Sequence, residues 1–339
     1  MHFPSQNIKE LFAEFEQRKA MALFLGSGTD ITTVYPESPR YDRLRGSMMK
    51  WDTLLEELIK FACIEKEDKE ALKKFQPPLR AAILKQKLGN SYIPIIQHWL
   101  YSYCNRQILE DSFEYYDRYR HDPTLENMKK VPFLALFVLA EMILRVRSVR
   151  AVFTQNYNNF LRETIKILQK HSDDSFHYRN LIPIDVYDGW KEDPYVDDRF
   201  LIYHVHGYIP SLSEMMPKQE SNHIVLSDDE FHLLSKNVYS WQNATQLHFF
   251  THFTCLLIGL SLDDLTTLRL LRYANLENSG EKVYWLRGGY VDGSDAEQKL
   301  KAEYFATQNL HVVNDEDGYV SLYHKLFVNV LQKASIRKK

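Results

Sequence analysis

The sequence predicts an α/β fold, a doubly wound and mostly parallel sheet carrying a large helical insertion, and three observations lead to it. Short apolar runs of strand length recur, most of them without two-sided alternation. Several are followed by helical periodicity, and apolar strands that alternate with helices imply a parallel sheet covered on both faces. Between the first such run and the rest lies a block from Trp51 to about Leu144 in which helical spacing is continuous and strand-like runs are absent.

In chain order, residues 5–18 place Ile8, Leu11, Phe12 and Phe15 on one helical face, and residues 20–25 form an apolar strand that ends at Gly26. The block from Trp51 is broken by Pro77-Pro78, Asn90-Ser91 and Asp122-Pro123, which supply the helix ends. Strand signals return at 149–154, 201–205, 223–226, 255–259, 283–286 and 310–313. Helical periodicity covers 157–170, 227–236, 263–274, 295–306 and 318–332. The expected organisation is a Rossmann-like core from residues 1–50 and 148–339, its doubly wound part built by 15–30 and 148–335. Residues 51–147 are expected to form an inserted helical subdomain or cap. No internal repeat or low-complexity segment interrupts this order.

With 339 residues, 45% of them hydrophobic, the chain is long enough for one large α/β domain or a core with a sizeable insertion. The net charge of −3 comes from 42 basic and 45 acidic residues that are interspersed, so no surface built to hold a nucleic-acid backbone is expected. The basic tail Arg337-Lys338-Lys339 reads as a solvated end. Cys63, Cys104 and Cys255 lie far apart without a C-x-x-C pair, so they read as reduced, buried thiols rather than a zinc knuckle or redox motif. The N-terminus has no apolar core of signal-peptide length. The longest apolar stretch, 131–144, is shorter than a membrane span and contains Glu141, so a cytoplasmic protein without a membrane segment is expected.

Four junctions carry candidate chemistry. The first is Leu25-Gly26-Ser27-Gly28-Thr29-Asp30, a Gly-x-Gly turn after an apolar strand. Such glycines let the backbone approach a pyrophosphate without a Cβ in the way, with amide hydrogens aimed at the anion, although a tight turn alone gives the same pattern. Thr32 stands where a third glycine of the dinucleotide fingerprint would fall. The second is Thr154-Gln155-Asn156-Tyr157-Asn158-Asn159, polar residues at the carboxyl end of a strand, where Asn156 or Asn158 could equally cap the following helix. The third is His204-Val205-His206-Gly207. Strand alternation would point both imidazoles to one face, His206 lies nearer the crevice, and Gly207 would leave it approachable. The fourth is Gly259-Leu260-Ser261-Leu262-Asp263-Asp264, in which Ser261 or Asp263 could be a helix N-cap.

In this order the four junctions resemble the sirtuin family, and most closely its bacterial antiphage-defence branch. The family's Gly-Ala-Gly-x-Ser turn is matched by Gly26 to Asp30, with Asp30 in place of the serine. Its Thr-Gln-Asn-x-Asp segment is matched by Thr154 to Asn158, with Asn158 in place of the aspartate, and its His-Gly pair by His206-Gly207. The branch's Gly-Tyr-Ser-x-x-Asp turn resembles Gly259 to Asp264, with Leu260 for the tyrosine. Ile224 to Phe231 resembles its post-histidine segment, and Lys50-Trp51-Asp52-Thr53-Leu54-Leu55 its early Trp-x-x-Leu-Leu helix. A carboxylate at Asp30 should repel a pyrophosphate unless it turns outward or meets an arginine, and Arg40, Arg43 and Arg45 are near in sequence.

The resemblance implies NAD as substrate and no metal. Gly26, Ser27, Gly28, Thr29, Asp30, Gln155, Asn158, Gly259, Ser261 and Asp264 would bind it, and Asn156 and His206 would be catalytic. Asn156 would hold a ribose hydroxyl or the attacking water, with His206 as general base. Family members use either an acetyl-lysine oxygen or water as nucleophile. The chain lacks the deacylases' four-cysteine zinc module and carries a helical insertion instead, which favours hydrolysis to nicotinamide and ADP-ribose. An NAD-dependent deacylase and a non-catalytic NAD or ADP-ribose sensor are the alternatives. The resemblance also implies a homo-oligomer, a hexameric DNA-translocating ATPase encoded alongside as partner, and a role in antiviral defence. The apolar helical residues Leu134, Leu136, Phe137, Leu139 and Ile143 could serve a core or an interface.

Overall fold

A computed structural model describes residues 4–31, 41, 51–172, 176, 178–189, 198–215, 223–262, 264–276, 281–288, 300, 303–308, 310–315 and 317–332. Its centre is a 7-stranded sheet in the order β3-β4-β2-β1-β5-β6-β7, every neighbouring pair parallel. The strands are β1 Met21–Leu25, β2 Val149–Thr154, β3 Ile182–Val186, β4 Arg199–His204, β5 Thr254–Ile258, β6 Val283–Gly288 and β7 Leu310–Asp315. The chain works outward from β1 on one side through β2, then crosses back to β5 on the other. The fold is therefore doubly wound, as the alternation of apolar strands and helices predicts, with its switch point beside β1.

Period-two alternation sorts the strand side chains onto two buried faces. Met21, Leu23 and Leu25 join Val149, Val152, Ile202, Leu256 and Ile258 in one core, which also contains the helices of the insertion and the helix Phe160–Lys170. Ala22 and Phe24 join Phe153, Tyr203, Cys255, Leu257 and Trp285 in the other, closed by the helices Trp241–His252 and Leu265–Leu276. On that second face Phe24, Phe153 and Tyr203 are register partners across β1, β2 and β4, and their rings stack at 4.7 and 4.8 Å. Such cross-strand aromatic pairs help fix the register on which the site's geometry rests.

The insertion contributes Trp51–Phe61, Lys66–Leu72, Pro77–Leu88, Tyr92–Tyr103, Arg106–His121, Leu125–Met128 and Leu134–Arg145. Every residue from Leu134 to Leu144 is buried, so Leu134, Leu136, Phe137, Leu139 and Ile143 are core in this chain. No helix among the described residues is long and apolar enough to cross a membrane. Glu141 explains its own presence there: its carboxylate accepts from the Tyr116 hydroxyl and pairs with Arg145, whose other nitrogen donates to Leu331 O at 2.6 Å.

Several expectations need correction. Residues 223–226 are not a strand: both edges of β4 are occupied by β2 and β3, and the segment is tied beyond the end of β4 by bonds from Val225 N to His206 O (2.8 Å) and from the Tyr157 hydroxyl to Val225 O (2.7 Å). Strand β3 carried no clear sequence signal, because Pro183 and Asp185 interrupt a half-exposed edge run. The helix Trp241–His252 was also unforeseen, for it buries the polar residues Gln242, Asn243, Thr245 and Gln246. The expected helix at 295–306 lies partly outside the described residues. Of the cysteines, Cys104 and Cys255 are buried but Cys63 is exposed.

Glu141→Ala should leave Arg145, only 5% exposed, as an uncompensated buried charge. A loss of about 3–5 kcal/mol in urea unfolding is expected, and a change under about 1 kcal/mol would show that the pair is not a supporting contact of the insertion.

Candidate active site

The carboxyl ends of β1, β2, β4 and β5 meet at the switch point, where ligands bind in open α/β sheets. The turns after β1 and β5 touch backbone to backbone. A Cβ on Gly26 would lie 2.5 Å from Gly259 O, one on Gly28 2.7 Å from Gly259 Cα, and one on Gly259 2.6 Å from Thr29 N. Gly259 also has φ +66, which glycine adopts without strain. Gly26 N donates to Ile258 O (2.9 Å) and Gly28 N to Gly259 O (3.0 Å), while Thr29 N and Asp30 N close the 3₁₀ turn onto Gly26 O and Ser27 O. These four amides are thus engaged within the protein, contrary to the expectation of amides aimed at an anion. The close approach that requires glycine is between the two turns.

Asn156 sits just beyond β2. Its Nδ2 donates to Gly26 O and to Thr29 Oγ1, both at 3.1 Å. A carbonyl oxygen can only accept, so the amide orientation is fixed and Oδ1 is the atom that Asn156 can offer to a hydroxyl or a water. Beside it, Gln155 Nε2 donates to Asp264 Oδ2 and Thr267 Oγ1 at 3.0 Å each. Asp264 is the N-cap group of the helix Leu265–Leu276, accepting from Thr266 N (2.9 Å) and Thr267 Oγ1 (2.7 Å). Ser261, at the other side of that turn, is exposed, and Asp263 lies outside the described residues.

His206 Nε2 lies 3.8 Å from Asp264 Oδ2, so the junctions after β2, β4 and β5 converge on one carboxylate. The imidazole is buried edge-on against Phe231 (5.3 Å between ring centroids). Burial pushes it below its ordinary value of 6.5, against the opposing pull of Asp264, so it is neutral near pH 7 and able to accept a proton. Gly207, φ +90, is needed because the backbone of His223 and Ile224 passes where its Cβ would be, rather than to open access to the imidazole. The insertion reaches this flank: Trp51 packs on Phe231 at 6.2 Å, and Lys85 pairs with Glu230 of the capping box that starts the helix Asp228–Lys236.

Below the Asn156 loop lies a second, closed polar cluster. Asp30 turns inward and accepts from Asn158 Nδ2 (2.6 Å), while Asn158 Oδ1 accepts from Phe160 N at the start of the next helix (3.1 Å). Two of the positions that depart from the sirtuin pattern therefore bond to each other. Burial raises the Asp30 carboxyl to about 6, restrained by bonds from Asn158, Thr29 and Asn156 and by the His204 charge. Arg40, Arg43 and Arg45 lie outside the described residues. His204 belongs to this cluster and not to that of His206, because β4 ends at His204 and the bond from Gly207 N to His204 O (3.1 Å) turns the chain out of strand alternation. Asp30, Asn156, Asn158, Arg162, Asp185 and His204 border a cavity of about 10 Å³, room for about one water molecule. Sequence reasoning passed over Asp185, Arg162 and Thr267, which come from elements with no motif of their own. Among the described residues no group of His, Cys, Asp or Glu could hold a metal ion.

Between about pH 4 and 6 the folded chain keeps the Asp30 proton that the unfolded chain releases, so stability falls as pH rises through that window, at a cost above it of about 3 kcal/mol. Asp30→Asn removes the titration. Its melting temperature relative to wild type should therefore be higher at pH 8 than at pH 5, and an equal difference at both pH values would show that Asp30 is not held in this way.

No curated protein matches the chain. Residues 150–313 match the family model of a SIR2-like domain, a span that contains Gln155, Asn156, Asn158, His206, Gly259, Ser261 and Asp264. Over residues 150–313, then, the chain is similar to SIR2-like domains, a class of domain that uses NAD.

Proposed function

We propose that this chain is an NAD+ glycohydrolase that releases nicotinamide and ADP-ribose. The observation that carries the reading is that buried His206 and Gln155, the neighbour of Asn156, both reach the Asp264 carboxylate, while the Asn156 carboxamide is fixed just beyond β2. In NAD the nicotinamide nitrogen is already cationic. When the bond to ribose C1′ breaks, its electron pair goes to that nitrogen and nicotinamide leaves neutral, so no general acid is required. The protein has to stabilise an oxocarbenium-like ribose and direct the nucleophile to it. Asn156 Oδ1 accepts from a ribose hydroxyl or from the water, and His206 takes the proton as the oxygen attacks C1′.

Water is favoured over an acyl-lysine for two reasons. The chain has only 3 cysteines, too few for a four-cysteine zinc module. The flank beyond His206, moreover, is packed by Trp51 and Lys85 of the insertion. The resemblance to the antiphage branch extends the proposal to NAD depletion in bacterial defence, by a cytoplasmic homo-oligomer working with a hexameric DNA-translocating ATPase.

Chromatography of NAD incubated with the purified chain should show nicotinamide and ADP-ribose, and His206→Ala and Asn156→Ala should each lower the rate about 10²-fold or more. Equal rates in the variants, or NAD turnover only with an acyl-lysine peptide, would overturn the hydrolase reading. The base must be neutral to act, so the rate should hold its plateau down to below pH 6.5 and fall only as His206 becomes protonated. A rate already halved above pH 7 would assign the base elsewhere.

A further inference from the structure

His204 occupies the last position of β4, 1% exposed, two residues before the proposed base. Its Nδ1 lies 2.9 Å from Asn156 O and its Nε2 lies 2.9 Å from Asp185 Oδ1. A backbone carbonyl and a carboxylate are both acceptors, and a neutral imidazole has one N–H to give. Both bonds can be made together only if both ring nitrogens carry hydrogen. Asp185 also meets Arg162 Nη1 at 2.8 Å, and Arg162 pairs in turn with Glu214 and, at 3.3 Å, Glu163. The remaining groups facing the ring are Asp30 from the turn after β1 and Tyr208, whose ring centroid lies 4.8 Å away and whose hydroxyl donates to Glu214 at 2.7 Å.

The carbonyl that His204 grips belongs to the peptide carrying the Asn156 side chain. Other bonds hold that loop, among them Asn156 N on Thr154 Oγ1 (3.0 Å), Asn156 Nδ2 on Gly26 O and Thr29 Oγ1 (3.1 Å each), Tyr157 O accepting from Ile209 N (2.7 Å) and the Tyr157 hydroxyl donating to Val225 O (2.7 Å). None of these fixes the carbonyl of Asn156 itself, which sets the rotation of the peptide plane and with it where the carboxamide oxygen points.

We propose that His204 is a positioning residue for the cleavage reaction, an imidazolium clamped by Asp185 whose Nδ1–H holds the Asn156 carbonyl and thereby aims the Asn156 carboxamide at the substrate. Asp185 is the second half of the device, keeping the ring charged and oriented from β3, the edge strand. The inference rests on the hydrolase reading for the reaction it serves. Its structural half, the doubly protonated ring, stands apart from that reading.

Two isosteric amides separate the two bonds. His204→Asn keeps a donor near the Nδ1 position and loses the one toward Asp185, while His204→Gln does the reverse. With Asp185 retaining Arg162 in both, His204→Asn should keep kcat within about threefold of wild type. His204→Gln should lower kcat about tenfold or more with KM nearly unchanged. In an Asn156→Ala background, exchanging His204 for Gln should cost nothing further in kcat, the coupling expected when one residue acts through another. Equal kcat in the two variants, or losses that track melting temperature and persist in the Asn156→Ala background, would reduce His204 to a structural residue. Nitrogen NMR of histidine-labelled protein, assigned with the same variants, gives a readout independent of turnover. Both His204 ring nitrogens should be protonated at pH 7.5, and a single protonated nitrogen would overturn the proposal. Absence of nicotinamide release by wild type, with that NMR signature present, would instead sink the hydrolase reading and leave the clamp standing.

Discussion

Where β1 and β5 end, two turns lie against each other backbone to backbone, and the site is organised around that contact. Each of Gly26, Gly28 and Gly259 would place a Cβ within 2.7 Å of the opposing backbone, so none can be replaced without moving a strand end. The contact fixes how far apart the two halves of the doubly wound sheet stand at the switch point. It also fixes the position of Gly26 O, to which Asn156 is bonded, and brings the start of the helix capped by Asp264 within reach of Gln155. The glycines of a dinucleotide turn are commonly explained by the ligand. Here the fold itself already requires them, before any ligand is considered.

Two layers of polar groups then divide the chemistry. The upper layer holds Gln155, Asn156, His206 and Asp264, drawn from three strand ends, with Gln155 and His206 meeting at the Asp264 carboxylate. The lower layer holds Asp30, Asn158, His204, Asp185 and Arg162, enclosed around a cavity of water size. The lower layer holds two of the positions at which this chain differs from the sirtuin pattern, Asp30 and Asn158. The carboxylate absent at Asn158 is present at Asp30, and the two side chains are bonded, with Asp30 in a desolvated place.

The core of this architecture was legible in the sequence because both faces of the sheet are buried. Runs such as Met21–Leu25 and Thr254–Ile258 carry that signature directly. The site junctions were legible because each combines a strand end with glycine, asparagine or histidine. Strand β3 was hidden because an edge strand need bury only part of itself, and Pro183 is acceptable there. Residues 223–226 looked like a strand because a segment that buries Val225 and Leu226 has the same composition, although both sides of β4 were already taken by β2 and β3. The two histidines could not be told apart by parity, since the chain leaves strand geometry at the residue that separates them. The partners of His204, Asp185 and Arg162, come from another strand and a helix, a pairing that only the folded chain reveals.

The central claim is that the nucleotide occupies the crevice at the carboxyl ends of β1, β2, β4 and β5. Amide hydrogen exchange of the purified chain, with and without saturating ADP-ribose, tests it most directly. The account predicts added protection concentrated in residues 26–31, 154–160, 204–209 and 258–266, the four junctions described above. No ligand-dependent protection at these junctions, or protection confined to the insertion, would contradict it.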